Sequence, residues 1–192
     1  MSCSRSRRSL RLPGFDYASP GAYFITLCTH QRACLFGEVI DGAMRLNAQG
    51  LIVQAAWLDL PQHFPSTEVD ALVVMPNHVH GILILHDPVG AKHRSCREAR
   101  RHAGARRHAS PLPPTGEPRG TSPGSLPAVV QAIKSASARR INLLRGTPAA
   151  PVWQRGYYEH VIRAPDELDR VRRYIESNPL RWTVDRENPV NA

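Results

Sequence analysis

Apolar and polar positions change period several times along this chain, and each change marks an element. From Ala22 to Thr29 the β-prone run Tyr23, Phe24, Ile25 and Thr26 predicts a first strand. Between Phe36 and Leu46, the pairs Val39-Ile40 and Ala43-Met44 flank Asp41-Gly42, a dipeptide suited to the positive-φ positions of a tight hairpin. Asn47 can cap a helix running through Leu60, with Leu51, Ile52, Ala55 and Leu58 at helical spacing and Pro61 as the stop. Two more strands, Val69 to Met75 and His78 to His86, join at Pro76-Asn77. Helical spacing returns from Leu126 to Leu144, with Val129, Val130, Ile133, Ile141 and Leu144 on the apolar side. Val152 to Ile162 reads as extended. Pro165 and Asp166 open a last helix with the stripe Leu168, Val171 and Ile175. Pro179 ends it, since the residue before a proline is pushed out of the α region.

With the hairpin set aside, the order is strand, helix, strand, strand, helix, strand, and then a helix. That is the split-βαβ, ferredoxin-like order, an α+β fold built on an antiparallel sheet. The strand starting at His78 is apolar on both faces, with Ile82 and Ile84 on one side and Val79, Leu83 and Leu85 on the other. Such a sheet needs two covers. The two earlier helices supply one, and the C-terminal helix carrying Tyr174 is expected near the other face. Residues 1–20 read as a basic N-terminal arm and loop. Residues 21–186 read as one domain, interrupted at 87–125 by a basic insertion without periodicity. Within it, positions 91–120 hold eight Lys or Arg against Glu98 and Glu117, a composition expected to be disordered.

Charge narrows the partners. A net charge of +9 on 192 residues, with a pI near 10.1, points to a polyanion, with nucleic acid first and an anionic membrane surface second. Cys3, Cys28, Cys34 and Cys96 form no CxxC pair, so neither a zinc cluster nor a disulfide framework is expected. Thiols used this way suit a reducing cytoplasm. No apolar run approaches the roughly 20 residues that span a bilayer, and no signal-type apolar core follows the N-terminal arginines. The expected location is cytoplasmic, nucleoid-associated, without membrane attachment.

The candidate chemistry begins at Met75-Pro76-Asn77-His78-Val79-His80. Alternation along a strand sends His78 and His80 to the same face, and two neutral imidazoles on one face suit a divalent metal. In the last helix, Tyr174 and Asn178 are four residues apart and so share a face. If that helix covers the histidine face, a phenol and a carboxamide reach the metal. With His78, His80 and Asn178 as neutral ligands, the ion would keep its full charge for a phosphate oxygen. Tyrosine is a weak nucleophile near neutrality and needs activation. Once joined to phosphate, however, a phenolate leaves more readily than an alkoxide, which suits cutting and rejoining a strand. Taken singly, each residue has an ordinary structural role; the combination on a basic chain carries the chemical reading.

These blocks resemble a known family. Arg11-Leu12-Pro13-Gly14-Phe15-Asp16-Tyr17, Gly21-Ala22-Tyr23-Phe24-Ile25-Thr26, Met75-Pro76-Asn77-His78-Val79-His80-Gly81, the segment Trp153 to Arg163, and Tyr174-Ile175-Glu176-Ser177-Asn178-Pro179 occur in order. Together they resemble the REP-associated branch of the IS200-like, HUH single-strand tyrosine transposases. The resemblance implies that Tyr174 attacks single-stranded DNA, leaving a 5′-phosphotyrosine and a free 3′-OH. It implies that His78, His80 and Asn178 hold Mg2+ or Mn2+, and that the substrates are palindromic repeats folded as hairpins. Arg8 and Arg11 of the arm, with Lys134, Arg139, Arg140 and Arg163, are expected to meet the DNA backbone. The long insertion departs from the compact family pattern. The protein would act as a monomer or a homodimer, and the short link from Ile162 to Tyr174 favours a tyrosine working on its own chain's site. Two other readings stand beside this one. The first is a non-catalytic binder of RRM-like shape, disfavoured because His78 to Leu85 contains no aromatic residue for base stacking. The second is a metal-dependent phosphodiesterase that uses water, with Tyr174 merely structural.

Overall fold

The computed structural model describes residues 15–87, 122–185 and 187–191. Four strands form one antiparallel sheet: β1 (Gly21–Cys28), β4 (Thr67–Val74), β5 (His78–Leu85) and β6 (Tyr158–Ile162), in the spatial order β4-β5-β1-β6. β5 and β1 are therefore central. Between β1 and β4 lie a hairpin, β2 (Gly37–Ile40) and β3 (Ala43–Leu46), and two helices, α1 (Ala48–Leu58) and α2 (Leu60–His63). Helix α3 (Leu126–Arg145) precedes β6, and α4 (Pro165–Ser177) follows it. This is the ferredoxin-like arrangement that the order of elements predicts.

Alternation along β1 sorts the layers. Tyr23, Ile25 and Leu27 enter a large core with Val53 and Trp57 of α1 and Val129, Ile133 and Ile141 of α3. Phe24, on the opposite side, joins a smaller cluster in which Ile82, Ile162 and Ile175 are buried against Leu168 and Val171. Helices α1 and α3 thus cover one face, and α4 covers the other. β5 is buried along nearly its whole length, as expected of a strand with two apolar faces.

Local chemistry sets the boundaries. Asn47 Oδ1 accepts from the amides of Gln49 and Gly50 at 2.9 and 3.0 Å, a cap of about 1 kcal/mol. Asp41 and Gly42 occupy positive φ (50° and 73°) between the paired residues Ile40 and Ala43, giving the two-residue hairpin expected. Gly146, at φ 62°, closes α3.

Several boundaries differ from expectation. Pro61 does not stop a helix but lies in the first turn of α2, where its missing N–H costs nothing. Only the ends of the extended segment pair: Trp153 bridges to Thr29, and a strand resumes at Tyr158. Asn178 keeps α-helical angles (φ −60°, ψ −42°) before Pro179, and the chain runs on as a 3-10 turn over Pro179–Val184. The missing proline N–H, rather than an extended Asn178, ends α4. Packing also reaches past the predicted domain limits. Tyr17 is in the core, its carbonyl accepts from the Leu126 amide, and Glu187 and Asn188 pack beside the site. Arg8, Arg11, Cys3, Cys96 and residues 88–121 of the basic insertion lie outside the described residues. Among the described residues, Cys28 and Cys34 are free thiols, and no helix is long and apolar enough to cross a membrane.

Candidate active site

Two segments of matched pitch face each other across the smaller core. His78 and His80 are two residues apart on β5, about 6.6 Å of strand rise. Tyr174 and Asn178 are four residues apart along α4 and its end, about 6 Å of helix rise. The matched spacing sets Tyr174 against His80 and Asn178 against His78. The Tyr174 hydroxyl is 3.3 Å from His80 Nε2, and the two rings are centred 5.2 Å apart. The histidine rings are 4.5 Å apart. All four side chains come from one chain. The phenol remains 39% exposed while His78, His80 and Asn178 are buried.

Polar contacts hold α4 at both sheet edges. Arg172 forks onto Asp70 of β4, with Nε and Nη2 each 2.9 Å from a carboxylate oxygen, and also meets Asp169 at 3.0 Å. Asp70 lies where the β4–β5 register shifts, between Val69 and Leu72. At the β6 end, Glu167 accepts the Arg163 amide at 2.9 Å and meets His160 Nε2 at 2.7 Å. The Arg163 amide first, then His160, hold the Glu167 carboxyl below the usual range.

Neighbours orient both imidazoles and fix the tautomer of His78. Asn77 Nδ2 donates to the carbonyls of Arg32 (3.2 Å) and Glu187 (2.6 Å), which leaves Asn77 Oδ1 as an acceptor. That oxygen is 2.8 Å from His78 Nδ1, so Nδ1 carries the proton and Nε2 keeps a lone pair. On His80, Nδ1 meets Thr26 Oγ1 at 2.8 Å. Burial lowers the His78 pKa, against the pull of Asp185, Glu187 and the Asn178 carboxamide. The ring is thereby biased towards its neutral form, which can ligate.

The buried atoms His78 Nε2 and Asn178 Oδ1 have no hydrogen-bond partner among the described residues. Asn178 lies close enough to favour the charged imidazole, yet no hydrogen bond of good geometry closes either atom. Leaving a buried polar atom unpaired costs roughly 1–3 kcal/mol. One divalent cation shared between these lone pairs and His80 Nε2 would remove both penalties, so the donor set fits a metal. No group of three His, Cys, Asp or Glu occurs among the described residues, and the trio depends on its carboxamide.

Other predicted residues sit elsewhere. Lys134 donates to the carbonyls of Gln154, Arg155 and Gly156, and burial lowers its pKa. Its ammonium pins a loop instead of standing free for phosphate. Arg139 and Arg140 are exposed on α3, across the sheet from Tyr174. Arg163 is exposed just past Ile162, which pairs with Ala22. It stands about 17 Å of strand rise from the Thr26 level of the site.

Residues missed by sequence reasoning complete the surroundings. Thr26 and Asn77 orient the two imidazoles; both occur in the quoted blocks, but their partners emerge only with the register. The C-terminal turn brings the Trp182 ring to 6.0 Å from that of His78. It also brings Glu187 to 3.2 Å from Arg32 and 3.7 Å from Cys28 Sγ. Burial, then the Glu187 carboxylate, push the Cys28 thiol up to about 12.

No family model matches the chain. An uncharacterised protein of Haemophilus influenzae is 36% identical over 179 residues, covering 93% of this chain and 91% of that protein. The solved structure of a REP-associated tyrosine transposase bound to a REP hairpin covers 91% of this chain and 73% of its own, with a TM-score of 0.55 at 17% identity. The shared architecture is a single-tyrosine transposase-like fold.

Proposed function

The chain belongs to the same family as the Haemophilus influenzae protein and has a single-tyrosine transposase-like fold, and on that basis we propose that it is a single-stranded DNA strand transferase. It cleaves and rejoins strands beside palindromic hairpins through a 5′-phosphotyrosine. One observation carries this reading. The Tyr174 hydroxyl stands 3.3 Å from His80 Nε2, beside two buried lone pairs that have no hydrogen-bond partner among the described residues.

His78, His80 and Asn178 would hold Mg2+ or Mn2+, Mn2+ suiting the two imidazoles better. Bound there, the ion would polarise the scissile phosphate and offset its charge. The Tyr174 hydroxyl, 3.3 Å from His80 Nε2, would attack from beside these three side chains. Tyr174 is solvent-reachable, so its proton can leave to water. The Tyr174 oxygen bonds to phosphorus, the P–O3′ bond breaks, and the departing 3′ oxygen takes a proton. In rejoining, a 3′ hydroxyl displaces the phenolate. Asn77 and Thr26 keep both imidazoles aimed throughout. Because the tyrosine serves its own chain's site, a monomer suffices.

The test is to incubate the protein with Mn2+ and a labelled single strand bearing a palindromic repeat from the DNA flanking its gene. Covalent adduct is then read on a denaturing gel. Adduct is expected with the wild type, and none with Tyr174→Phe or with His78→Ala plus His80→Ala. Cleavage by Tyr174→Phe without adduct would replace this reading with a water mechanism. Binding without cleavage in every variant would leave a simple DNA binder.

A further inference from the structure

An aromatic surface continues from the nucleophile across the same sheet face. Phe24 of β1 is stacked on His80, with ring centres 5.3 Å apart and planes at 29°. The Phe24 ring also meets Tyr174 edge-on at 6.0 Å and Tyr158 edge-on at 6.2 Å. Tyr158 pairs with Thr26 in the β1–β6 ladder, which puts its side chain on the site face. Phe24 is held in the smaller core, but Tyr158 is 43% exposed and Tyr174 39%. Two exposed rings at the mouth of a site, both touching one fixed ring, form a platform rather than a scatter of surface apolar residues.

We infer that Tyr158, backed by Phe24, stacks the unpaired base next to the phosphate that Tyr174 attacks. The inference rests on the strand-transfer reading and assigns that site a contact to the substrate. Several observations favour a nucleobase over an apolar peptide as the occupant. The surface is aromatic, adjoins a phosphodiester site, and belongs to a chain of net charge +9. The Tyr158 hydroxyl makes no hydrogen bond among the described residues, so its ring is not placed to anchor its hydroxyl. Sheet faces with exposed aromatics hold single strands by stacking, which tolerates any base because every base has a π-face. The aromatic residues that β5 lacks come from β1 beside it and from β6 on the far side of β1. Stacking would fix the first base, limit rotation of the adjoining phosphate, and help exclude duplex DNA, whose bases are already stacked.

The experiment measures binding without cleavage. In a Tyr174→Phe background with EDTA, fluorescence anisotropy compares a labelled oligothymidylate with an abasic chain of equal length, which carries the same phosphates. Tyr158→Leu, which keeps apolar volume but removes the π-face, should weaken oligothymidylate binding about five- to a hundredfold. Tyr158→Phe should bind as the parent does. The parent should prefer oligothymidylate to the abasic chain by a similar factor, and Tyr158→Leu should lose that preference. Equal loss on both ligands would make Tyr158 structural and overturn the inference, as would no detectable oligothymidylate binding by the parent. The adduct assay stands apart: adduct without base preference sinks the platform alone, and base preference without adduct sinks the transferase alone.

Discussion

A single methyl group at Gly81 tests how the sheet supports the site. Gly81 directly follows His80 on β5 and points to the opposite face, towards α1. A Cβ there would lie 2.4 Å from Cζ2 of Trp57 and 2.9 Å from Cε2. Carbon contacts settle near 3.5–4.0 Å, so something must move by about 1 Å. β5 is hydrogen-bonded to both β4 and β1, whereas Trp57 is a side chain on a helix. The indole therefore gives way, although it is fully buried and tightly packed. Overpacking of this kind costs about 1–3 kcal/mol, which for a chain of this size lowers Tm by roughly 2–12 °C. Gly81→Ala should therefore unfold earlier in urea and on heating. At 20 °C its rate of adduct formation should match that of the wild type, because the strand and its histidines hold their place. Trp57→Phe removes the ring that the methyl strikes, so the double variant should be more stable than the sum of the single effects, with a coupling of at least about 0.5 kcal/mol. Strict additivity, or loss of adduct without loss of stability, would show that β5 rather than the indole yields, and the reasoning would fail.

Other consequences can be measured directly. Thr26→Val keeps the shape of the side chain but removes the partner of His80 Nδ1, so calorimetric titration should show Mn2+ affinity falling about 10–100-fold with a small change in Tm. Cys28 ionises only near 12 in the folded protein, against about 8.5 for a free thiol; its contribution to stability is complete below about 8.5 and is lost as pH rises from there towards 12. Urea midpoints across that window should fall more steeply for the wild type than for Cys28→Ala. Lys134→Met releases the carbonyls of Gln154, Arg155 and Gly156. It should lower Tm yet leave the dependence of DNA affinity on salt unchanged, because this ammonium's donors are taken up by the three carbonyls.

The local elements were readable because each rests on chemistry among near neighbours. Asn47 capped its helix, Asp41-Gly42 turned its hairpin, and the stripe Leu168, Val171 and Ile175 met a sheet. Pro61 and Pro179 were harder. A proline reads the same in sequence whether it ends a helix or opens one, and only the surrounding packing tells which. The surroundings of Lys134 were hidden for a related reason. Its charge is visible in the sequence, but the three carbonyls that consume its donors come from a loop some twenty residues away.

The sequence by itself determined the order of elements and the face on which His78, His80, Tyr174 and Asn178 could stand, since strand and helix periodicity are local properties of the backbone. Only the tertiary structure decided that α4 crosses the sheet with Tyr174 level with His80, latched at Asp70 and at the Arg163 amide. It alone decided that Thr26 and Asn77 orient the two imidazoles, and that Phe24 and Tyr158 extend the site into an aromatic face. These relations depend on strand register and on one helix's path over the sheet. Both are fixed by contacts between residues distant in the chain, and no local pattern encodes such contacts.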